Sequence, residues 1–183
     1  LSDPDNLNSR SVFYTAQSYQ DSGMYEEAIK WYRLYTKLND GWIEEVFESY
    51  MRISLCMMKL NCDLTEIERA MSAAIKLCAD RAEPNFHIGK YCNQIGEYEK
   101  GYSYLKTAKS KNIEDIKKKY ILFIQENMYG DYNNDELSVS CFWTKRFEEG
   151  YQYLLEILND SRFESQKERL LANQKYFQDN LTP

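Results

Sequence analysis

The chain predicts an all-α fold, a stack of about four helical hairpins closed by a C-terminal capping helix. Three observations carry that expectation. FYTAQSYQDSGMYEEAIKWY, beginning at Phe13, recurs in degenerate form 73 residues later as FHIGKYCNQIGEYEKGYSYL, and again from Asp135 as DELSVSCFWTKRFEEGYQYL. Such repetition marks a solenoid, in which each unit buries its apolar face against its neighbours. With 7 Gly and 3 Pro, the chain has too few punctuators for many short strands. Its 43% hydrophobic content, with 15% aromatic carried largely by Tyr, is too rich for a disordered tail.

The elements follow in order. Residues 1–8, with LSDPDN, read as a linker, and residues 9–181 as one repeat domain. From Ser9 to Ser22 the residues Val12, Phe13, Ala16 and Tyr19 form the stripe of an amphipathic helix, ended by Asp21-Ser22-Gly23. A second helix opens at Met24 or Tyr25 and runs to about Leu38, with Tyr25, Ala28, Ile29, Tyr32 and Tyr35 on one side. Asn39-Asp40-Gly41 breaks the chain, because all three tolerate turn geometry. A longer pair spans Ile43 to about Lys59 and Thr65 to Cys78, turning at Asn61-Cys62-Asp63 and capped by Asp63 or Thr65. Its register against the first pair stays open.

Asp80 and Pro84 frame a third pair, in which Gly96, Tyr98 and Gly101 stand where Gly23, Tyr25 and Ala28 stood. Two units of about 34 residues account for most of that 73-residue spacing, the longer middle pair taking the rest. From Tyr98 to Phe147 and from Gly101 to Gly150 the spacing is 49, so an insertion is expected at YILFIQENMYGDY, between Tyr120 and Tyr132. Glu164 to Asn180, with Leu170, Leu171 and Phe177 on a polar background, reads as the capping helix.

The pairs share a size pattern: Ala16 with Tyr19 and Ala28 with Tyr32; Gly89 with Cys92 and Gly101 with Leu105; Ser138 with Cys141 and Gly150 with Leu154. Small residues are required where two helices approach closely, and large ones fill the space beside them. This is the tetratricopeptide pattern, and the expected architecture is a tetratricopeptide-like superhelical stack.

Composition and motifs exclude several functions. A net charge of -6 and a pI near 5.0 argue against a phosphate-backbone binder, and Lys117-Lys118-Lys119 reads as a solvated helix end. Five cysteines without a CxxC pair give no zinc site and read as small buried hydrophobes. Their odd number and the absence of a signal peptide suit a soluble, intracellular setting, and no apolar run is long enough to span a membrane. His87, the one histidine, has no Ser, Cys or second His at triad spacing and reads as a packing or surface residue. The pairs Glu26-Glu27, Glu44-Glu45 and Glu148-Glu149 each open a helix, where they stabilise its positive end rather than form an acid-base dyad. No glycine-rich phosphate loop or metal triad is present, and the sequons at Asn159 and Asn180 read as incidental.

What remains is a binding face built from the first helix of each pair. Its inward positions are Arg10, Phe13, Gln17 and Gln20 in the first repeat and Lys90 and Asn93 in the third. Phe142 and Trp143 in the last either join that face or pack on the neighbouring helix. Polar groups mixed with aromatics suit a peptide, a sugar chain or another domain.

Five runs in order, SRSVFYTAQSYQDSGMYEEAIKWY, GWIEEVFESYMRI, DRAEPNFHIGKYCNQIGEYEKGY, LFIQENMYGDYNNDELSVSCFWTKRFEEGYQYL and ERLLANQKYF, carry a further likeness. They resemble the tetratricopeptide-like C-terminal region of family 2-type glycosyltransferases of bacteria and giant viruses, from about Ser9 to Phe177. In that family an N-terminal domain transfers the sugar, holding the donor diphosphate through a metal-binding acidic motif. No residue here matches that motif. The resemblance therefore implies a non-catalytic segment without a cofactor of its own, and a parent enzyme that uses a nucleotide-sugar donor and a divalent metal. It implies as partner the upstream catalytic domain, or a protein or glycan acceptor. The Lys, Asn and Tyr usage suits an AT-rich genome such as that of a giant virus. The alternative is a free-standing adaptor that binds a partner peptide in its groove.

Overall fold

The computed structural model describes residues 8–38 and 41–181. Among them are ten α-helices and no strand: α1 Ser9–Asp21, α2 Tyr25–Tyr35, α3 Ile43–Lys59, α4 Leu64–Leu77, α5 Glu83–Gln94, α6 Tyr98–Lys109, α7 Ile113–Lys119, α8 Asp131–Trp143, α9 Phe147–Leu158 and α10 Lys167–Leu181. The expected all-α fold of helical hairpins with a terminal helix is what the chain forms. The expected linker lies outside the described residues except Asn8, whose side chain accepts from the Arg10 amide at 3.0 Å and caps α1. Asn39 and Asp40 of the predicted break also lie outside them. Three boundaries shift: α2 ends at Tyr35 rather than Leu38, α4 starts at Leu64 under an Asp63 cap, and α10 starts at Lys167 after a 3-10 turn, Ser161–Gln166.

The same turn closes each hairpin. Gly23, Asn61, Gly96 and Lys145 all take a positive φ. In each turn the following amide reaches back to the helix before it: Met24 to Tyr19 O, Cys62 to Met57 O, Glu97 to Cys92 O and Arg146 to Cys141 O, at 2.8–3.1 Å. This satisfies carbonyls that a helix end would otherwise leave unpaired. The turns also settle the register of the second pair. Ser54 stands seven residues before Asn61, as Ala16 stands before Gly23, Gly89 before Gly96 and Ser138 before Lys145. All four are small, and all four are buried.

The chain divides into two compact units. The first comprises the described residues up to Pro84 together with Ile116–Ile124. Its core joins Phe13, Tyr32 and Tyr35 to Phe47, Met51, Ile67 and Met71. The inserted stretch docks into it. Arg81, fully buried, pairs with both carboxylate oxygens of Glu83 at 2.8 and 3.2 Å. It also donates to the carbonyls of Leu122 and Phe123 at 3.1 and 2.6 Å and lies 4.3 Å over the Phe47 ring. Glu44 accepts from the amides of Ile121 and Leu122, and Phe123 packs on Phe13 at 5.9 Å. The first part of the expected insertion, after helix α7, is thus a strap held by one buried cation and one buried carboxylate, and the part that follows forms a 3-10 turn, Glu126–Tyr129, in the second unit.

The second unit comprises Asn85–Asp115 and the described residues from Gln125 onward. Here the small residues of the repeat are tightly enclosed. A Cβ at Gly89 would stand 2.6 Å from Leu105, one at Gly101 would stand 2.6 Å from Asn93 Oδ1, and one at Gly150 would stand 2.6 Å from the Cys141 Cβ. The close helix approach read from the sequence is realised. Leu154, Ile157, Phe163, Leu170 and Phe177 form the core at its C-terminal end.

Candidate functional site: an aromatic cleft between α8 and α10

Both α8 and α10 pack on α9, and a cleft of about 420 Å³ opens between them. Ser138, Val139, Phe142 and Trp143 form one wall, and Asn173, Tyr176 and Phe177 form the other. Phe142 meets Phe177 edge to face at 5.4 Å, closing the floor, and reaches Phe147 at 5.7 Å. Trp143 stacks on Tyr98 at 5.2 Å with only 12° between the rings, yet remains 58% exposed. Tyr176 is 60% exposed. Rigid aromatic groups held open at a cleft mouth offer large contact area at low entropic cost.

The predicted binding residues separate into three groups. Arg10, Phe13, Gln17 and Gln20 lie on α1 in the first unit. Phe13 is buried against Tyr32 and Tyr35, so it serves the core and has no surface to offer. Arg10 is exposed, 5.7 Å from the Tyr14 ring, and Gln20 accepts from the Tyr32 hydroxyl at 2.9 Å. Gln17 is half-buried. In the second unit Lys90 pairs with Glu136 at 3.1 Å, while Asn93 is buried, donating to Glu136 and accepting from Ser140 at 2.6 Å. Phe142 and Trp143 are the pair that the structure brings into one concavity. Phe142 packs on Phe147 and Phe177, while Trp143 stacks on Tyr98 and keeps an exposed edge. Val139, Asn173 and Tyr176 were not singled out from the sequence. The adjacent aromatics Tyr176 and Phe177 in a polar helix were the available signal.

Elsewhere in the second unit several titratable groups are held by neighbouring side chains. On α6 and α9, Lys106 reaches Glu149 and Tyr153, each at 2.9 Å, and Tyr102 donates to Glu149 at 2.8 Å. Burial pushes the Glu149 carboxyl up, but these hydrogen bonds outweigh it and hold the group below its ordinary value. Arg146 forks onto Glu99 and lies 4.2 Å over the Tyr102 ring. The network stitches neighbouring helices together. Burial raises the thiols of Cys56 to about 11 and Cys141 to about 12, leaving them protonated and poorly nucleophilic. Among the described residues no group of three His, Cys, Asp or Glu is placed to hold a metal, and no helix is long and apolar enough to cross a membrane.

Comparison with solved structures places this architecture. MamA from Desulfovibrio magneticus RS-1 superposes with a TM-score of 0.65 at 11% identity, covering 95% of this chain and 91% of that one. A MamA RS-1 double mutant gives 0.64 at 12% identity, over 95% and 90%. A kinesin-light-chain-type protein from Podosopora anserina with nearly identical TPR-like repeats gives 0.58 at 13% identity, over 100% and 99%. The fold is tetratricopeptide-like. No protein-family model and no curated protein matches the sequence.

Proposed function

We propose that this chain is a non-catalytic protein-interaction scaffold, and that its second unit receives an aromatic or aliphatic side chain of a protein partner in the α8–α10 cleft. The observation that carries this reading is the exposure of Trp143 and Tyr176 above a floor of Phe142 and Phe177. Exposed aromatic anchors on a rigid helical frame are where binding energy concentrates in protein interfaces.

The finer reading makes that partner the upstream nucleotide-sugar-dependent domain of a glycosyltransferase, with this segment supporting it or positioning a glycan or protein acceptor. The five ordered runs from Ser9 to Phe177 support it. The nucleotide-sugar donor and the divalent metal would then belong to the upstream domain. A free-standing adaptor shares the same fold and cleft.

The test is selection of randomised displayed peptides against the whole chain, with Trp143→Ala/Tyr176→Ala as the comparison. Selected peptides should carry an apolar anchor and lose about tenfold or more in affinity for the double variant, whose helical circular dichroism is retained. Peptides indifferent to both substitutions would sink the scaffold reading of this cleft. The two finer readings part on the coding sequence ahead of residue 1. Alternating strands and helices with an Asp-x-Asp motif, whose product binds this chain in trans, support the glycosyltransferase, and further repeats or a start codon support the adaptor.

A further inference from the structure

The first unit carries a second groove, of about 220 Å³, between α2 and α4. Its floor is α3, with Ile53 and Met57 beneath the opening, and Ala70 and Ala73 keep the α4 wall low. Above this apolar floor stand three hydrogen-bond donors: the exposed guanidinium groups of Arg33 and Arg69 and the hydroxyl of Tyr50. None of the three has a protein partner among the described residues. Glu66 also lines the groove without pairing with either arginine, and the rim keeps a net positive charge.

This arrangement is unusual for the molecule. Arg52, Arg81, Arg146, Arg162 and Arg169 each hold a carboxylate. Unneutralised donors around an apolar slot match a partner that brings acceptors and one apolar side chain. The geometry points to the α2–α4 groove as a docking site for an acidic peptide segment, with an aliphatic side chain entering between Ala70 and Ala73 and flanking carboxylates received by Arg33 and Arg69. The site is separate from the α8–α10 cleft and does not depend on it. Arginine suits this task because its planar fork accepts a carboxylate through two parallel hydrogen bonds. Tyr50 supplies a third donor at the same rim.

The test follows methyl signals of the whole chain, labelled at Ile and Met, during titration with a short capped peptide holding one Leu between runs of Glu. Its Gln counterpart and inorganic phosphate serve as the other arms. The Glu peptide should move the Ile53 and Met57 methyl signals, and Arg33→Glu/Arg69→Glu should weaken its binding about tenfold or more. Raising salt from about 50 to about 500 mM should also weaken it, as screening shortens the reach of the rim charges. Trp143→Ala/Tyr176→Ala should leave this binding unchanged. The inference is overturned if these methyls do not move, if the Gln peptide binds equally, if the arginine reversal has no effect, or if phosphate alone reproduces the shifts. Both arginines are exposed, so their reversal should leave the melting temperature close to that of the parent, which the same samples report.

Discussion

Lys145 adopts a φ of 62° at the turn position that Gly23 holds at 75° and Gly96 at 83°. A side chain in the left-handed region crowds the following carbonyl, a cost that glycine escapes. Lys145→Gly should therefore stabilise the last full hairpin by about 1 kcal/mol, visible as a higher melting temperature, and an unchanged or lower value would refute the account. Glu48 presents a different single-residue tension. It is almost completely buried, Arg52 reaches one of its oxygens at 2.6 Å, and its Oε2 has no partner among the described residues. Burial raises its carboxyl above the ordinary value, Arg52 and Arg81 oppose that, and nearby Glu83 adds to it. A raised carboxyl binds its proton more tightly in the folded state, so its stabilising contribution is complete below the ordinary carboxylate range. That contribution is lost as pH rises through the raised value. Glu48→Gln should consequently melt above the parent at neutral pH, and the gap should close towards pH about 4. A gap that is constant with pH would assign the effect to packing instead.

At the level of elements, close helix approach in the second unit depends on glycines that are poor helix formers. A Cβ at Gly101 would press on Asn93 Oδ1 and sit 3.2 Å from the Gly89 carbonyl, and one at Gly150 would also sit 2.8 Å from the Phe177 ring. Gly101→Leu and Gly150→Leu should each cost on the order of 1 to 3 kcal/mol through overpacking. Gly150→Leu should in addition weaken peptide capture, because Phe177 forms the cleft floor; melts unaltered by both would contradict the helix-approach argument. The small-large pattern was readable because it repeats. In the second pair it was obscured, since Ser54 supplies the small residue of α3 but large Ile67 and Met71 line the buried face of α4. The strap was not readable either. Arg81 and Glu44 carry no periodic signal, and their partners lie some 40 or more residues away in sequence. Arg81→Met leaves Glu83 charged and buried, with two carbonyls released, and should cost about 3–5 kcal/mol in chemical denaturation. A cost below about 1 kcal/mol would show the clamp to be dispensable.

For the molecule as a whole, helix content, hairpin order and the place of extra residues after the third pair were legible, because apolar periodicity and glycine placement report directly on helix packing, whereas the short helix α7 was not expected. The cleft was half legible. Phe142 and Trp143 announce themselves as adjacent aromatics, but their opposing wall is supplied by a helix whose sequence looks merely polar. The burial of Phe13 was hidden because its position on α1 fits both an inward surface and a core stripe. Only the aromatic neighbours Tyr32, Tyr35 and Phe123 decide between them. If this chain is the non-catalytic segment proposed above, it should by itself transfer no sugar from any nucleotide-sugar donor. Donor-dependent product formed by the purified chain, and lost on heat denaturation, would overturn that expectation.

The buried Arg81 clamp joins parts of the chain that leave the ribosome some 40 residues apart. Ribosomes deliver α1 to α4 and Arg81 first, but the carbonyls of Leu122 and Phe123 emerge only after α5, α6 and α7 have been made. Until then Arg81, destined for a dry interior beside Glu83, lacks those two carbonyls. A nascent chain halted near Pro84 would hold its first two hairpins without the strap that seals them. Truncations drawn at that apparent repeat boundary should accordingly be less stable and more protease-sensitive than chains extending through Ile124.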